Sequence, residues 1–149
     1  MQRRADLDDL DALLPLVRDF YETDRHHYDE SRVVGALRPL LADDSVGQVW
    51  IAESSGRCLG YAVVTWSYSL ESGGRDCILD EIYVTTTSIG LGSDLLAAVF
   101  DGARSQGARA IFLETESHND RARRFYRRHG FEVDDSVWLS RALVAAGPS

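Results

Sequence analysis

The sequence predicts a mixed α/β domain, with helices and an antiparallel meander in front and alternating strands and helices behind. Three observations carry that prediction. Leucines recur at helical spacing near the N-terminus; three runs rich in β-branched and aromatic residues are separated by glycine-bearing turns; beyond residue 84, apolar helical patterns alternate with short apolar strands. With 149 residues, 44% of them hydrophobic, the chain is long enough to bury one core, and that length favours one domain over two.

The elements follow in order. A short strand is expected at Gln2 to Ala5. In "DLDDLDALLPLVRDFY", Leu7, Leu10, Leu13, Leu14 and Val17 share one helical face, and Pro15 bends or limits that helix. The polar "ETDRHHYDE" is a loop, and "SRVVGALRPLL" forms a second helix before the turn "ADDSVG". "QVWIAE", "CLGYAVVTWSYSL" and "DCILDEIYV" are three successive strands, joined by turns at "SSGR" and "ESGGR". After the loop "TTTSIGLGS", Leu91, Leu95, Leu96, Val99, Phe100 and Ala103 mark a helix that "SQGAR" closes. "AIFLET" is a short strand. "SHNDRARRFYRRHG" is a helix capped by Ser117 or Asn119, burying Ala122, Phe125 and Tyr126 and ending at Gly130. "FEVDDSVWLSRAL" supplies one or two last strands, and "VAAGPS" frays.

The composition narrows the function. A net charge of −8 argues against nucleic acid and favours cationic small molecules as partners. All 16 basic residues are arginines, which excludes a Walker phosphate loop and any lysine Schiff base. The N-terminus lacks the apolar run of a signal peptide and no stretch is long enough to span a bilayer, so a soluble, cytoplasmic protein without a membrane partner is expected. Cys58 and Cys77 have no CxxC spacing and read as buried thiols. The adjacent His26 and His27 lack a third ligand at metal spacing, so no metal is expected.

Two stretches, "LDEIYVTTTSIGLGSDLL" and "LETESHNDRARRFYRRHGFE", together resemble the GNAT superfamily of acyl-CoA-dependent N-acyltransferases. The second is the more specific: it follows the pattern N-x-x-A-x-x-F-Y-x-x-x-G-F at Asn119, Ala122, Phe125, Tyr126, Gly130 and Phe131. The first matches a strand, glycine turn and helix, except that Thr87 stands where the family carries arginine or glutamine and the loop is shorter. The element order resembles that of the superfamily over nearly the entire chain. The resemblance implies a GNAT-like fold over residues 1–144, with a disordered tail at 145–149. It also implies a mixed, mostly antiparallel sheet, splayed at the cofactor site and flanked by about four helices.

It further implies acetyl-CoA as cofactor, held by Ile82, Tyr83 and Val84 of the splayed strand, by Thr87, Ser88, Ile89, Gly90, Leu91, Gly92 and Ser93 at the helix start, and by Asn119 and Tyr126. Backbone N–H groups and the helix dipole suit a pyrophosphate even where no cation assists. Asp94, in the first turn, opposes it. Tyr126 matches the family's proton donor to the leaving thiolate. Asp80 matches its proton acceptor, with Glu81 in reserve; strand alternation sends these neighbours to opposite faces. Tyr28 and His27 in the acidic loop, with Trp66 and Tyr68 on one strand, are candidate contacts to a cationic amine. Each residue also has a plain structural reading: turn glycine, helix cap, core aromatic or solvated carboxylate.

Three functions stay open. One is acetyl transfer to a primary amine of a small cation; another is a degenerate module that binds acyl-CoA or a protein without turnover. A third is acetylation of a protein N-terminus or lysine. A homodimer accords with the resemblance, since family members are often dimers.

Overall fold

The computed structural model describes residues 1–85 and 90–145. The chain forms two compact units, Met1–Glu114 and Thr115–Ser149. The first contains a five-stranded sheet in the order β1 (Gln2–Arg4), β2 (Gly47–Ser54), β3 (Arg57–Ser69), β4 (Gly74–Val84), β5 (Ile111–Phe112). Neighbours pair antiparallel except β4 and β5, which run parallel because a helix crosses between them. The mixed sheet expected from the sequence is present.

Three helices cover the two faces of this sheet. Helix α1 (Leu10–Thr23) follows a short 3-10 turn at Leu7–Asp9, whose Asp6 cap accepts from the Asp8 N–H. The 3-10 turn breaks the expected leucine stripe, leaving Leu7 exposed while Leu13, Leu16 and Val17 are buried. The helix continues through Pro15 to Thr23. Helix α2 (Glu30–Ala42) starts at Asp29, whose carboxylate accepts from the Arg32 N–H at 3.2 Å. Leucines of both helices pack on Val49, Ile51, Tyr61 and Val63, the residues that β2 and β3 turn to that face.

Helix α3 (Leu91–Ser105) packs Leu91 and Leu95 on Ala52, Ile82 and Val84 across the sheet. It lies close because of Gly102: a Cβ there would stand 2.6 Å from the Gln48 side-chain oxygen and 2.7 Å from the Trp50 ring. The N-terminal strand is held by charge. Arg3 spans Asp9, at 2.7 and 2.9 Å, and Glu53 at 2.7 Å; Arg4 reaches Asp44 at 2.9 Å and the Leu40 carbonyl at 2.7 Å.

The second unit contains α4 (Asp120–Arg128), capped by Asn119, which accepts from the Ala122 N–H at 3.1 Å. Gly130, at φ +90°, lets the chain leave the helix. The last strands expected from "FEVDDSVWLSRAL" are not formed. Residues 131–145 carry no strand, and Val137, Trp138, Leu139 and Leu143 are exposed. Alternating residues supply a preference for extended chain, but a strand exists only where a neighbour accepts its hydrogen bonds.

Candidate active site

The site begins with an irregularity in β4. Val63 pairs with Glu81 and Val64 with Leu79, so Asp80 is the extra residue of a β-bulge. The bulge corrects the alternation expected from the sequence. Ile82 packs toward α3, and Glu81 accepts on the other face from the Tyr21 hydroxyl of α1 and the Tyr61 hydroxyl of β3, each at 2.7 Å. The charge of Asp80 acts on Glu81 and on both tyrosines. The bulge therefore interrupts strict alternation and sets Asp80 next to the Glu81 cluster.

Their environments differ. Asp80 is accessible to solvent and accepts no hydrogen bond among the described residues, yet crowding by protein atoms pushes its carboxyl above the usual carboxylate range. Burial raises Glu81 as well; the two phenols oppose that rise, the Asp80 charge adds to it and His26 counters it. The phenols of Tyr21 and Tyr61 are in turn pushed well up, chiefly by burial.

Aromatic rings surround this step. Tyr21 meets Phe20, Tyr28 and His26 edge-on, with centroids 6.0, 6.0 and 6.2 Å away. Phe20 and Tyr61 both pack against Tyr83, at 5.7 and 6.4 Å. The Arg18 guanidinium lies 5.5 Å over the Tyr28 ring. The sequence indicated Tyr28, Asp80, Glu81 and Tyr83 here but missed Tyr21, Phe20 and Tyr61. Tyr21 stands four residues after Val17 on the apolar helical stripe, and that was the available signal.

Other expected contacts lie elsewhere. His27 is exposed and joins none of these ring contacts among the described residues. Trp66 and Tyr68 are even-numbered in β3 and share the α3-facing side with Gly60, where a Cβ would meet Leu95. The Trp66 indole N–H donates to the Asp44 carbonyl at 2.7 Å, and Arg75 covers its ring at 5.7 Å. The structure therefore does not bring Trp66 and Tyr68 to the carboxylates.

The cofactor-site expectations fall on the end of β4 and the start of α3. Strand β5 pairs with β4 only at Cys77 and Ile78, so from Leu79 to Val84 that edge of β4 has no strand beside it among the described residues. Ile82, Tyr83 and Val84 lie on this stretch. Gly90 precedes α3 at φ +73°, gives it no side-chain cap, and has no atom within 4 Å of where a Cβ would be. Leu91, Gly92 and Ser93 form the first turn, in which Asp94 donates its N–H to the Gly90 carbonyl at 3.2 Å. An open strand edge leading to an uncapped helix start fits an elongated ligand carrying a pyrophosphate. Thr87, Ser88 and Ile89 lie outside the described residues.

In the second unit, Tyr126 is half-buried and edge-on to Phe125 at 5.2 Å and Phe131 at 5.5 Å; burial raises its phenol. Asn119 serves as the helix cap. The thiols offer no nucleophile: burial pushes Cys77 up to about 11 and also raises Cys58.

Comparison with known proteins gives a consistent result. Residues 10–131 match the model of the acetyltransferase (GNAT) family. The chain is 31% identical over 134 residues to the uncharacterized N-acetyltransferase YhfO of Bacillus subtilis (strain 168), covering 89% of each. Among solved structures it is similar to the integron cassette protein HFX_CASS3 from the mobile metagenome of Cole Harbour Salt Marsh. The identity there is 28% and the TM-score 0.86, over 97% of this chain and 91% of that one. The aminoglycoside acetyltransferase meta-AAC0020, from an uncultured soil metagenomic sample and in complex with sisomicin, shares the fold. It has 18% identity and a TM-score of 0.77, over 97% and 96% of the two chains.

Proposed function

Because the chain belongs to the GNAT acetyltransferase family, we propose that it transfers an acetyl group from acetyl-CoA to the primary amine of a small cationic molecule. The observation that carries this reading is the β4 bulge, where Glu81 accepts from Tyr21 and Tyr61 and the charge of the adjacent Asp80 acts on all three. The family match runs across both compact units, which supports treating residues 1–144 as one acyltransferase domain.

A primary amine is mostly protonated at neutral pH and cannot attack until it loses a proton. The paired carboxylates attract the ammonium, and the aromatic rings around them favour a cation. Asp80, which accepts no hydrogen bond among the described residues, then accepts the proton directly or through water; the N–H bond breaks and a carboxyl O–H forms. Tyr28 borders the same ring cluster and contacts the organic part of the amine. His27, in the exposed loop, contributes only to more distant parts of a substrate, while Trp66 and Tyr68, on the α3-facing side of the sheet, take no part in binding it.

Acetyl-CoA supplies an activated acyl group on sulfur. On this chain, Ile82, Tyr83 and Val84 would hold it along the open edge of β4, and Gly90, Leu91, Gly92 and Ser93 would offer backbone N–H groups to its pyrophosphate. Thr87, Ser88 and Ile89 complete that turn in the sequence. Asn119 keeps amide donors that its capping bond does not use. Tyr126, held protonated by burial, donates its phenolic proton to the departing sulfur. The protein works in the cytoplasm, and a homodimer accords with the family.

The decisive experiment is calorimetric titration with acetyl-CoA, followed by thiol release on a panel of diamines, amino sugars and peptides. Release with small cationic amines supports the reading. Saturating acetyl-CoA without binding leaves the degenerate module, and release with peptides alone leaves the protein acetyltransferase.

A further inference from the structure

Tyr21 and Tyr61 belong to no motif, yet each spends its hydroxyl on the same carboxylate from a different element. Tyr21 comes from the last turns of α1, 60 residues from Glu81 in sequence, and donates to one oxygen; Tyr61 comes from the centre of β3 and donates to the other. The Tyr61 ring is fully buried, so the bond it makes cannot be exchanged for water without exposing the core. Asp80, one residue away, has no such donor among the described residues. The bulge thus presents one tethered carboxylate and one untethered carboxylate.

We propose that Tyr21 and Tyr61 are positioning residues that pin both oxygens of Glu81, making it the fixed anion beside which Asp80 meets the incoming ammonium. This rests on the reading of the bulge as the amine-facing site. A carboxylate with one donor on each oxygen still has lone pairs for an ammonium, so pinning orients Glu81 without saturating it. The charged and titratable groups around it are Tyr21 from α1, His26 from the loop that follows, Tyr61 from β3 and Asp80 on β4 itself. Because the Tyr21 ring also packs edge-on against His26 and Tyr28, the same side chain ties the amine-facing loop to the anion.

The test reads the carboxyl directly. Side-chain carboxyl carbons are titrated by NMR in the full chain, with the Glu81 signal identified by its loss in Glu81→Gln. A phenol that donates to the ionised form favours ionisation, so Tyr21→Phe, which keeps the ring, raises the Glu81 midpoint. The expected shift is on the order of one pH unit for each hydroxyl removed, and Tyr21→Phe with Tyr61→Phe raises it further. The acid limb of kcat/KM moves up in parallel. An unchanged Glu81 midpoint in folded Tyr21→Phe overturns the proposal, and this variant suffices should loss of the buried Tyr61 hydroxyl prevent folding. An unchanged acid limb, with activity lower by the same factor at every pH, also overturns it, since a merely structural role gives that result. The reading beneath it is tested separately: if Asp80→Asn with Glu81→Gln acetylates like the wild type, the bulge is not the amine-facing site. The carboxyl titration still decides whether the phenols hold Glu81.

Discussion

At the β4 bulge Glu81 accepts two hydrogen bonds while Asp80 accepts none among the described residues, and on the proposed reading this pair sets the acid limit of activity. Both are raised above the ordinary carboxylate range, by burial first, so on the proposed mechanism proton acceptance fails at a higher pH than for an ordinary carboxylate. The kcat/KM profile should lose activity on its acid side above that range; because interacting groups titrate as a pair, the limb belongs to both. Asp80→Asn should lower kcat on the order of 100-fold and leave acetyl-CoA affinity unchanged by calorimetry. Tyr126→Phe should likewise cut kcat far more than cofactor affinity, measured by comparing turnover with calorimetry at one pH. Asp80, Glu81 and Tyr126 are named from the sequence alone, because spacing within a motif survives without coordinates. The bulge at Asp80 was not legible there, because it depends on the hydrogen-bond register between β3 and β4. Tyr21 and Tyr61 were hidden for another reason: each sits on an apolar stripe and reads as core until its hydroxyl is seen to reach Glu81.

At the level of elements, the order was readable wherever a face is buried. The leucines of α1 and α3 and the alternation in β2 to β4 put one set of side chains against a core, and burial is what periodicity encodes. The C-terminal strands were misread because residues 131–145 have the alternation without a strand alongside. Close packing of α3 turns on a residue that the sequence shows only as one glycine among 12. At Gly102 a methyl group would overlap the Gln48 oxygen and the Trp50 ring, so Gly102→Ala should destabilise by about 1–3 kcal/mol in urea unfolding. Ala would otherwise favour the helix, so a neutral result would mean that α3 can lift off the sheet at little cost. The Arg3 link to Asp9 makes a separate prediction. Its hydrogen bonds hold the Asp9 carboxyl below the ordinary range, and a depressed carboxyl adds stability above its unfolded pKa that disappears as pH falls through the folded value. Arg3→Ala should therefore melt lower than the wild type at neutral pH, and the gap should close progressively below about pH 4.

For the molecule as a whole, the question is whether a GNAT chain with Thr87 where the family carries arginine or glutamine holds acetyl-CoA. The geometry favours backbone recognition, with one edge of β4 unpaired from Leu79 to Val84 among the described residues and α3 starting at a left-handed glycine that gives it no side-chain cap. Main-chain donors do not depend on a cation, so affinity should fall less steeply with salt than when arginine makes the contact. A ligand that binds only the folded protein stabilises it by RT ln(1 + [L]/Kd), about 2.7 kcal/mol at a hundredfold excess over Kd. For a domain of this size that corresponds to a rise in Tm of roughly 5–10 °C. Differential scanning fluorimetry with acetyl-CoA, repeated across a salt series, measures both quantities. A rise that persists in high salt is the expected outcome and attributes binding to the strand edge and helix start. A rise abolished by salt would assign the pyrophosphate to arginine side chains instead. No rise at any concentration would favour the module without turnover, and the carboxylate pair at the bulge would then need a different cation to explain it.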